Sequence, residues 1–358
     1  MMYFNIGETD AGWLTSVFTI MGMITAIPAA ALMRKMGPKK IGVISLACAA
    51  VGGVIGAFAT DLWVLMAPRV LEGVGVGMIA VVGPAVISMW FPAEKRGLPM
   101  GLWGSWMMCS QTLLFFIAGG LTTAFGWQGV WWFGLVACVV AFVLYVLCVK
   151  SPRPEDSYAD VESEDVSIVE GMKSPSAWVL SLATMLFCIG CFGFVNWIAT
   201  CWAQTFSWDE GQANMWVGYF SIFGVIAAVV IGALLNHVKN RKLFGVAALV
   251  AYGVASLVGM FMDNPSFLIG FVIVYGFVDA GFPCVLWTMA AQTVKKPELA
   301  GVALGVVSIG FNVGILLGPP IIGAVVEAAG WHAGAIAICG ACVLGAVALL
   351  FTKLYSAD

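Results

Sequence analysis

Residues 30–60 read AALMRKMGPKKIGVISLACAAVGGVIGAFAT. The stretch closes one apolar run, turns at Gly37-Pro38 amid Arg34, Lys35, Lys39 and Lys40, and opens a second run from Ile41 to Thr60 that carries no charge. About 20 apolar residues let a helix cross the hydrocarbon core of a bilayer. Lys and Arg in short loops mark the cytoplasmic side, and Gly-Pro pairs mark turns. The stretch therefore predicts two membrane spans joined by a cytoplasmic turn.

The same pattern extends in both directions. Apolar runs predict eleven spans, over 12–33, 41–60, 62–90, 97–124, 127–149, 176–203, 213–236, 243–262, 265–294, 299–328 and 331–353. Basic residues follow the first, third, fifth, seventh, ninth and last of these, and of the 16 in the chain only Arg69 falls elsewhere. The alternate loops hold Asp61, Gly126-Trp127, Asp209-Glu210, Asp263 and Gly330-Trp331. This alternation places the C-terminus in the cytoplasm of a multi-pass protein of the cell membrane. At 61% apolar and 10% charged residues the chain is far from a soluble domain, which carries roughly 25% charge. A net charge of −3 gives no reason to expect a nucleic-acid partner. Met1 to Gly12 lacks the basic and apolar regions of a cleavable signal, so the first helix is expected to direct insertion.

Ser151 to Ser174 is the one long loop, and it is acidic: Glu155, Asp156, Asp160, Glu162, Glu164, Asp165 and Glu170. Such a segment has too little apolar surface to bury a core. It separates an N-terminal bundle (1–150), through a cytoplasmic linker (151–175), from a C-terminal bundle (176–358). The halves repeat. Ala30–Lys40 aligns with Gly232–Lys242, and Gly97, Gly101, Gly126 and Trp127 align with Gly301, Gly305, Gly330 and Trp331. Both copies run in the same orientation, as in transporters built from parallel repeats. The second half has six spans and the first has five, so the first span of the first half is expected to be missing, upstream of Met1.

With these features the chain resembles the major facilitator superfamily. The turn after the first span is similar to that family's signature loop, through Ala30, Leu32, Gly37, Lys39 and Lys40, with Arg34 where the family carries an acidic residue. Arg69-x-x-x-Gly73 resembles the motif of the family's fourth helix, and Trp90–Gly97 is similar to the segment that follows it. Trp90–Trp106 is similar to members that handle small anions such as cyanate or nitrate. The resemblance implies an all-α membrane protein of two pseudo-symmetric bundles, with eleven of the twelve transmembrane helices present. It implies secondary active transport of a small solute by alternating access, with Leu32, Arg34, Gly37, Lys39 and Lys40 in a cytoplasmic gating loop. A small organic or inorganic anion with a proton as coupling ion is the expected cargo, handled by a monomer in contact with lipid. Drug or metabolite efflux and a non-transporting membrane sensor are the alternatives. The fifth family helix (97–124) lacks the Gly-Pro signature of drug/proton antiporters, and 213–236 and 299–328 carry no mid-membrane Arg or Lys.

An ionised side chain at mid-helix costs about 2.5–3.5 kcal/mol on insertion scales, so those present need partners. Three lie well inside spans: Arg69, Glu72 and Asp279. Arg69 and Glu72, at i and i+3, are close enough to touch. They read either as a self-neutralising pair that supports packing or as a cation for an anionic substrate beside a tuned carboxylate. Asp279 has no charged neighbour in sequence, and Pro283 follows one turn later. It is the better candidate for reversible protonation, against a structural hydrogen-bonding role. Gln111, Asn196 and Asn312 could orient substrate or bond between helices. Trp106, Trp197, Tyr275 and Trp287 could wall a cavity or pack the core. Trp63, Trp90, Trp127 and Trp178 sit at span ends as interfacial anchors.

Three further patterns read as packing. Cys188-x-x-Cys191 and Cys339-x-x-Cys342 lie inside apolar helices, where a metal or redox site would need a second pair and polar surroundings. Gly73-Val-Gly-Val-Gly77 lacks the strand that a nucleotide loop requires. Gly310, Gly314 and Gly318 recur every four residues and let a neighbouring helix come close. His237 and His332, near or outside the membrane surface, are the only histidines. A membrane-embedded enzyme would need a nucleophile–base pair or metal ligands. No such set is visible, and neither a cofactor nor a metal is expected.

Overall fold

A computed structural model describes residues 7–91, 103, 106–150, 172–235, 238, 240–295 and 299–355. Among them are eleven α-helices and no strand. They are α1 Glu8–Met36, α2 Pro38–Ala57, α3 Leu62–Trp90, α4 Trp106–Phe125, α5 Gln128–Cys148, α6 Pro175–Phe206, α7 Glu210–Leu234, α8 Arg241–Met260, α9 Leu268–Ala291, α10 Ala300–Ala329 and α11 Trp331–Phe351. Each falls on one predicted span. Nine are long and apolar enough to cross a membrane among the described residues, and Cys109–Phe125 is a shorter apolar helix. The limits differ where polar residues extend a helix or a proline delays one. α1 begins at Glu8 rather than at residue 12, because a polar turn can continue a helix into the headgroup region. The Pro265–Phe267 stretch is a 3-10 turn ahead of α9 rather than its first turn. Most of the expected 97–105 stretch and the acidic 151–171 segment lie outside the described residues.

The chain divides into two compact units, one containing Trp13–Ser163 and the other Glu164–Asp358. The internal repeat is visible in helix lengths. α2 and α8 are both 20 residues long, starting at Pro38 and Arg241. α5 and α11 are both 21 residues long, starting at Gln128 and Trp331. The breaks before α5 and α11 use the same device. Gly126 at φ 70° and Gly330 at φ 82° occupy the left-handed region, which a residue without a Cβ enters at no steric cost. Several polar residues of the alternate loops are helix caps, supplying the acceptor that the first amides lack. Asp61 accepts from Val64 N at 3.0 Å, Asp209 from Gln212 N at 2.9 Å, and Asn264 from Ser266 N at 2.9 Å.

Within the first unit the glycine run of α3 packs two ways. A Cβ on Gly73 or Gly77 would strike the carbonyl of Phe18 or Gly22 on α1, whereas one on Gly75 would come within 2.7 Å of the Ser45 carbonyl on α2. The Ser45 hydroxyl returns a bond to Gly75 O at 2.6 Å. Spacing by two places the glycines on opposite faces, so the run is a double seam between helices.

The second unit has a longer seam. Gly310, Gly314 and Gly318 of α10 lie against the backbone of α6, at Ser181 O, Met185 O and Ile189 O. Ser181 fastens one end, donating to Val306 O at 2.8 Å and accepting from Gly310 N at 3.1 Å. Trp197 fastens the other, its indole donating to Pro319 O at 2.9 Å. The cysteines fill adjacent gaps. Cys188 sits against Gly314, and the Cys342 sulfur lies 2.8 Å from where a Cβ on Gly190 would stand. All ten cysteines are free.

Candidate coupling site

Asp279 lies near the middle of α9 and is partly buried. Its location doubles the local supply of acceptors. Pro283, four residues on, has no N–H to give the Asp279 carbonyl, so a backbone oxygen and a carboxylate meet at one turn. The carboxylate accepts from the Cys191 thiol of α6 at 3.8 Å through Oδ1. Across from Oδ2 is Gly224 of α7, where an added Cβ would stand at 3.7 Å. Among the described residues it forms no ion pair. One turn earlier on the same helix, Tyr275 is fully buried and shares a hydrogen bond with Tyr252 of α8. Its ring stacks on Phe194 at 4.7 Å between centroids and meets Phe220 edge-on at 4.9 Å. The aromatic shell excludes water from the sides of this group, which makes each of its hydrogen bonds count for more.

The first unit pairs its charges instead. Arg69 Nη1 and Glu72 Oε2 are 3.0 Å apart, with side chains 30% and 18% exposed. The guanidinium also lies 4.3 Å over the Trp131 ring of α5, a cation–π placement. The Glu72 Cγ lies 2.8 Å from where a Cβ on Gly52 of α2 would stand. The pair is thus wedged where α2, α3 and α5 meet.

The other expected site residues are dispersed. Asn312 turns its amide onto its own helix, donating to Ser308 O at 2.7 Å. Trp197 is buried in the α6–α10 seam. Trp287 is 40% exposed, with its ring 5.8 Å from Phe311. Asn196 on α6 and Gln111 on α4 are half-buried. Trp106 opens α4, and its side chain, like that of Arg34, lies outside what is described. In the loop expected to gate, Leu32 is exposed, Gly37 has φ 81°, Lys39 is half-buried and Lys40 is exposed. Reading the sequence missed the Cys191 thiol as the partner of Asp279 and the Tyr252–Tyr275 bond one turn away. Cys191 stood in a C-x-x-C and Tyr252 is a phenol at mid-span, but which helices face each other is not written in either.

Eleven described helices gathered into two compact units are the architecture of a polytopic membrane protein. The chain matches the Major Facilitator Superfamily over residues 1–200 and again over 180–357. It is 27% identical over 151 residues to the Uncharacterized MFS-type transporter YcnB of Bacillus subtilis (strain 168), a stretch covering 42% of this chain and 32% of that relative. The chain therefore spans about a third of YcnB's length. It is 22% identical over 384 residues to the Probable galactarate/D-glucarate transporter GudP of the same strain, covering 96% of this chain and 83% of that one. In fold it is similar to a bacterial homolog of the human lysosomal transporter Spinster, in an inward-facing, unoccupied conformation. The TM-score is 0.79 at 14% identity, over 98% of this chain and 88% of that one. The chain belongs to the Major Facilitator Superfamily. Its helices are those of a multi-pass membrane protein of that family.

Proposed function

We propose that the chain carries a small organic anion across the cell membrane together with a proton, by alternating access, as a monomer whose linker and C-terminus face the cytoplasm. The observation that carries this reading is Asp279, a carboxyl at mid-helix held by a thiol and a glycine face, with no cation paired to it among the described residues. When ionised it repels an incoming anion. Two like charges about 8 Å apart repel by about 2 kcal/mol at an effective dielectric of 20. Protonation removes that repulsion, so proton and anion each favour the binding of the other by roughly 30-fold, which is the condition for symport. The relative named for galactarate and D-glucarate, small sugar-derived dianions, supports this class of cargo.

The test is uptake and exchange of labelled D-glucarate in proteoliposomes. The wild-type protein should accumulate it when the outside is more acidic. Asp279→Asn should stop accumulation while exchange of labelled for unlabelled substrate persists, since exchange needs no net proton movement. Accumulation by Asp279→Asn at the normal rate overturns the coupling role. Failure of the wild-type protein to move D-glucarate or any other small organic anion overturns the cargo class.

A further inference from the structure

The end of α9 beyond Asp279 is fastened by chain outside the helices. The last carbonyls of a helix lack partners within it. Here Gln292 O accepts from the Tyr355 N–H, in the segment after α11, at 2.8 Å. Thr293 O accepts from the hydroxyl of Ser174, ahead of α6, at 2.8 Å. Lys295 Nζ lies 5.6 Å over the Tyr355 ring, a second contact to the same residue. The first unit repeats the arrangement with other chemistry. Trp90, the last residue of α3, donates its indole N–H at 3.0 Å to Lys150 O, in the segment after α5. Counted from the starts of α2 and α8, and of α5 and α11, the two contacts fall at equivalent places in the repeat. Donor and acceptor have changed sides between the copies, so the place recurs where the bonding atoms do not. Each fastened helix also carries a proline between its charged residue and its end. Pro84 lies between Glu72 and Trp90, and Pro283 between Asp279 and Gln292. A proline removes one rung of the hydrogen-bond ladder and is where helices kink. Just beyond Pro283, Cys284 is held to α7 by its thiol, which donates to Ala228 O at 3.7 Å.

We infer that the segments leaving α5 and α11 are straps on the proline-hinged ends of α3 and α9. Release of the α11 strap swings Cys284–Ala291 about Pro283 and opens the turn beside Asp279 to water. The inference does not depend on what Asp279 binds. A contact that only packs the helix end would steady its final turn and nothing further. The strap reaches further because Cys284–Ala291 is continuous helix, with the missing rung at one end and the Tyr355 and Ser174 bonds at the other. A helical segment weakened at one end and pinned at the other moves as a unit when the pin is drawn, which is local opening of a cooperative piece of structure. The Cys284 thiol then parts from Ala228 O and becomes accessible, so this cysteine reports the movement. The segment after α11 thereby sets access to the turn that adjoins Asp279, from a position well away from that carboxyl in sequence.

The experiment uses the full chain in proteoliposomes without substrate. It reads amide hydrogen exchange by mass spectrometry, and the rate at which N-ethylmaleimide labels Cys284, located by peptide mass. Tyr355→Pro deletes the N–H that Gln292 O accepts. Amides of Cys284–Ala291 should then exchange about fivefold faster, the equilibrium weight of one neutral hydrogen bond. Cys284 should label faster by the same factor, while the amides of α8 and the labelling of Cys201 stay as in the wild type. Tyr355→Phe keeps both the N–H and a ring and should match the wild type. Adding Pro283→Ala to Tyr355→Pro restores the missing rung and should return Cys284 to its wild-type rate. Should Tyr355→Pro fail to fold, Trp90→Phe takes its place in the first unit, with the same gain expected over Ala85–Trp90. Faster exchange confined to the last turn of α9, with Cys284 unchanged, overturns the inference. Wild-type exchange throughout the strap variant does the same.

Discussion

At the scale of single residues, the two charged features of the spans reach opposite solutions. Arg69 and Glu72 neutralise each other at 3.0 Å beneath Trp131, whereas Asp279 is left with a thiol. Removing one partner of a half-buried pair strands the other charge, at a cost of about 3–5 kcal/mol. Glu72→Leu should therefore lower the thermal unfolding midpoint and the folded yield in detergent. The double variant Arg69→Met with Glu72→Leu should recover most of both, because neither charge remains. Exchange activity of the folded double variant then decides what the pair is for. Normal exchange fits a packing role, whereas joint loss of uptake and exchange assigns Arg69 to the anion. The residue types at 69, 72 and 279 were legible in the sequence, as was the pairing at i and i+3. The Cys191 thiol and the Tyr252–Tyr275 bond were not, because they depend on three helices meeting, and helix periodicity says nothing about neighbours in space.

Elements were the most legible level. Each apolar run became one helix because backbone groups in lipid must bond within their own segment. Three of the stops fell where Gly37, Gly126 and Gly330 break the ladder at positive φ. Less legible were helix ends in polar sequence, as at Glu8, and the partners of the glycine stripes. Gly310, Gly314 and Gly318 announced a close approach, but only the packed unit shows that α6 is the helix approached. Gly310→Ala would drive a methyl into the Ser181 carbonyl and hydroxyl. Overpacking of this kind costs about 1–3 kcal/mol, so the unfolding midpoint should fall clearly. Gly305→Ala, on the same helix with nothing within 4 Å of the added methyl, should leave it unchanged. Equal effects from the two substitutions would remove the seam from the account of stability.

For the whole molecule, the alternation of basic and acidic loops is the most direct prediction. Reporter fusions near Lys39 and Lys239 should be active in the cytoplasm, and those near Asp61, Asp209 and Asp263 outside it. Cytoplasmic activity at Asp209 would break the assigned orientation. The lengths of the helices carry one more consequence. The repeat-related helices α2, α5, α8 and α11 have 20 or 21 residues, about 30 Å at 1.5 Å per residue, which just matches a typical hydrocarbon core. α6, at 32 residues, overshoots it by about 18 Å and can tilt or project at a modest cost. The four short helices cannot stretch, so they fix the bilayer thickness that the protein tolerates. Lengthening the lipid acyl chains beyond that match thins the surrounding membrane toward the protein at a modest cost per ångström. Exchange rates measured across a series of monounsaturated phosphatidylcholines should therefore peak at intermediate chain length and fall on the long-chain side.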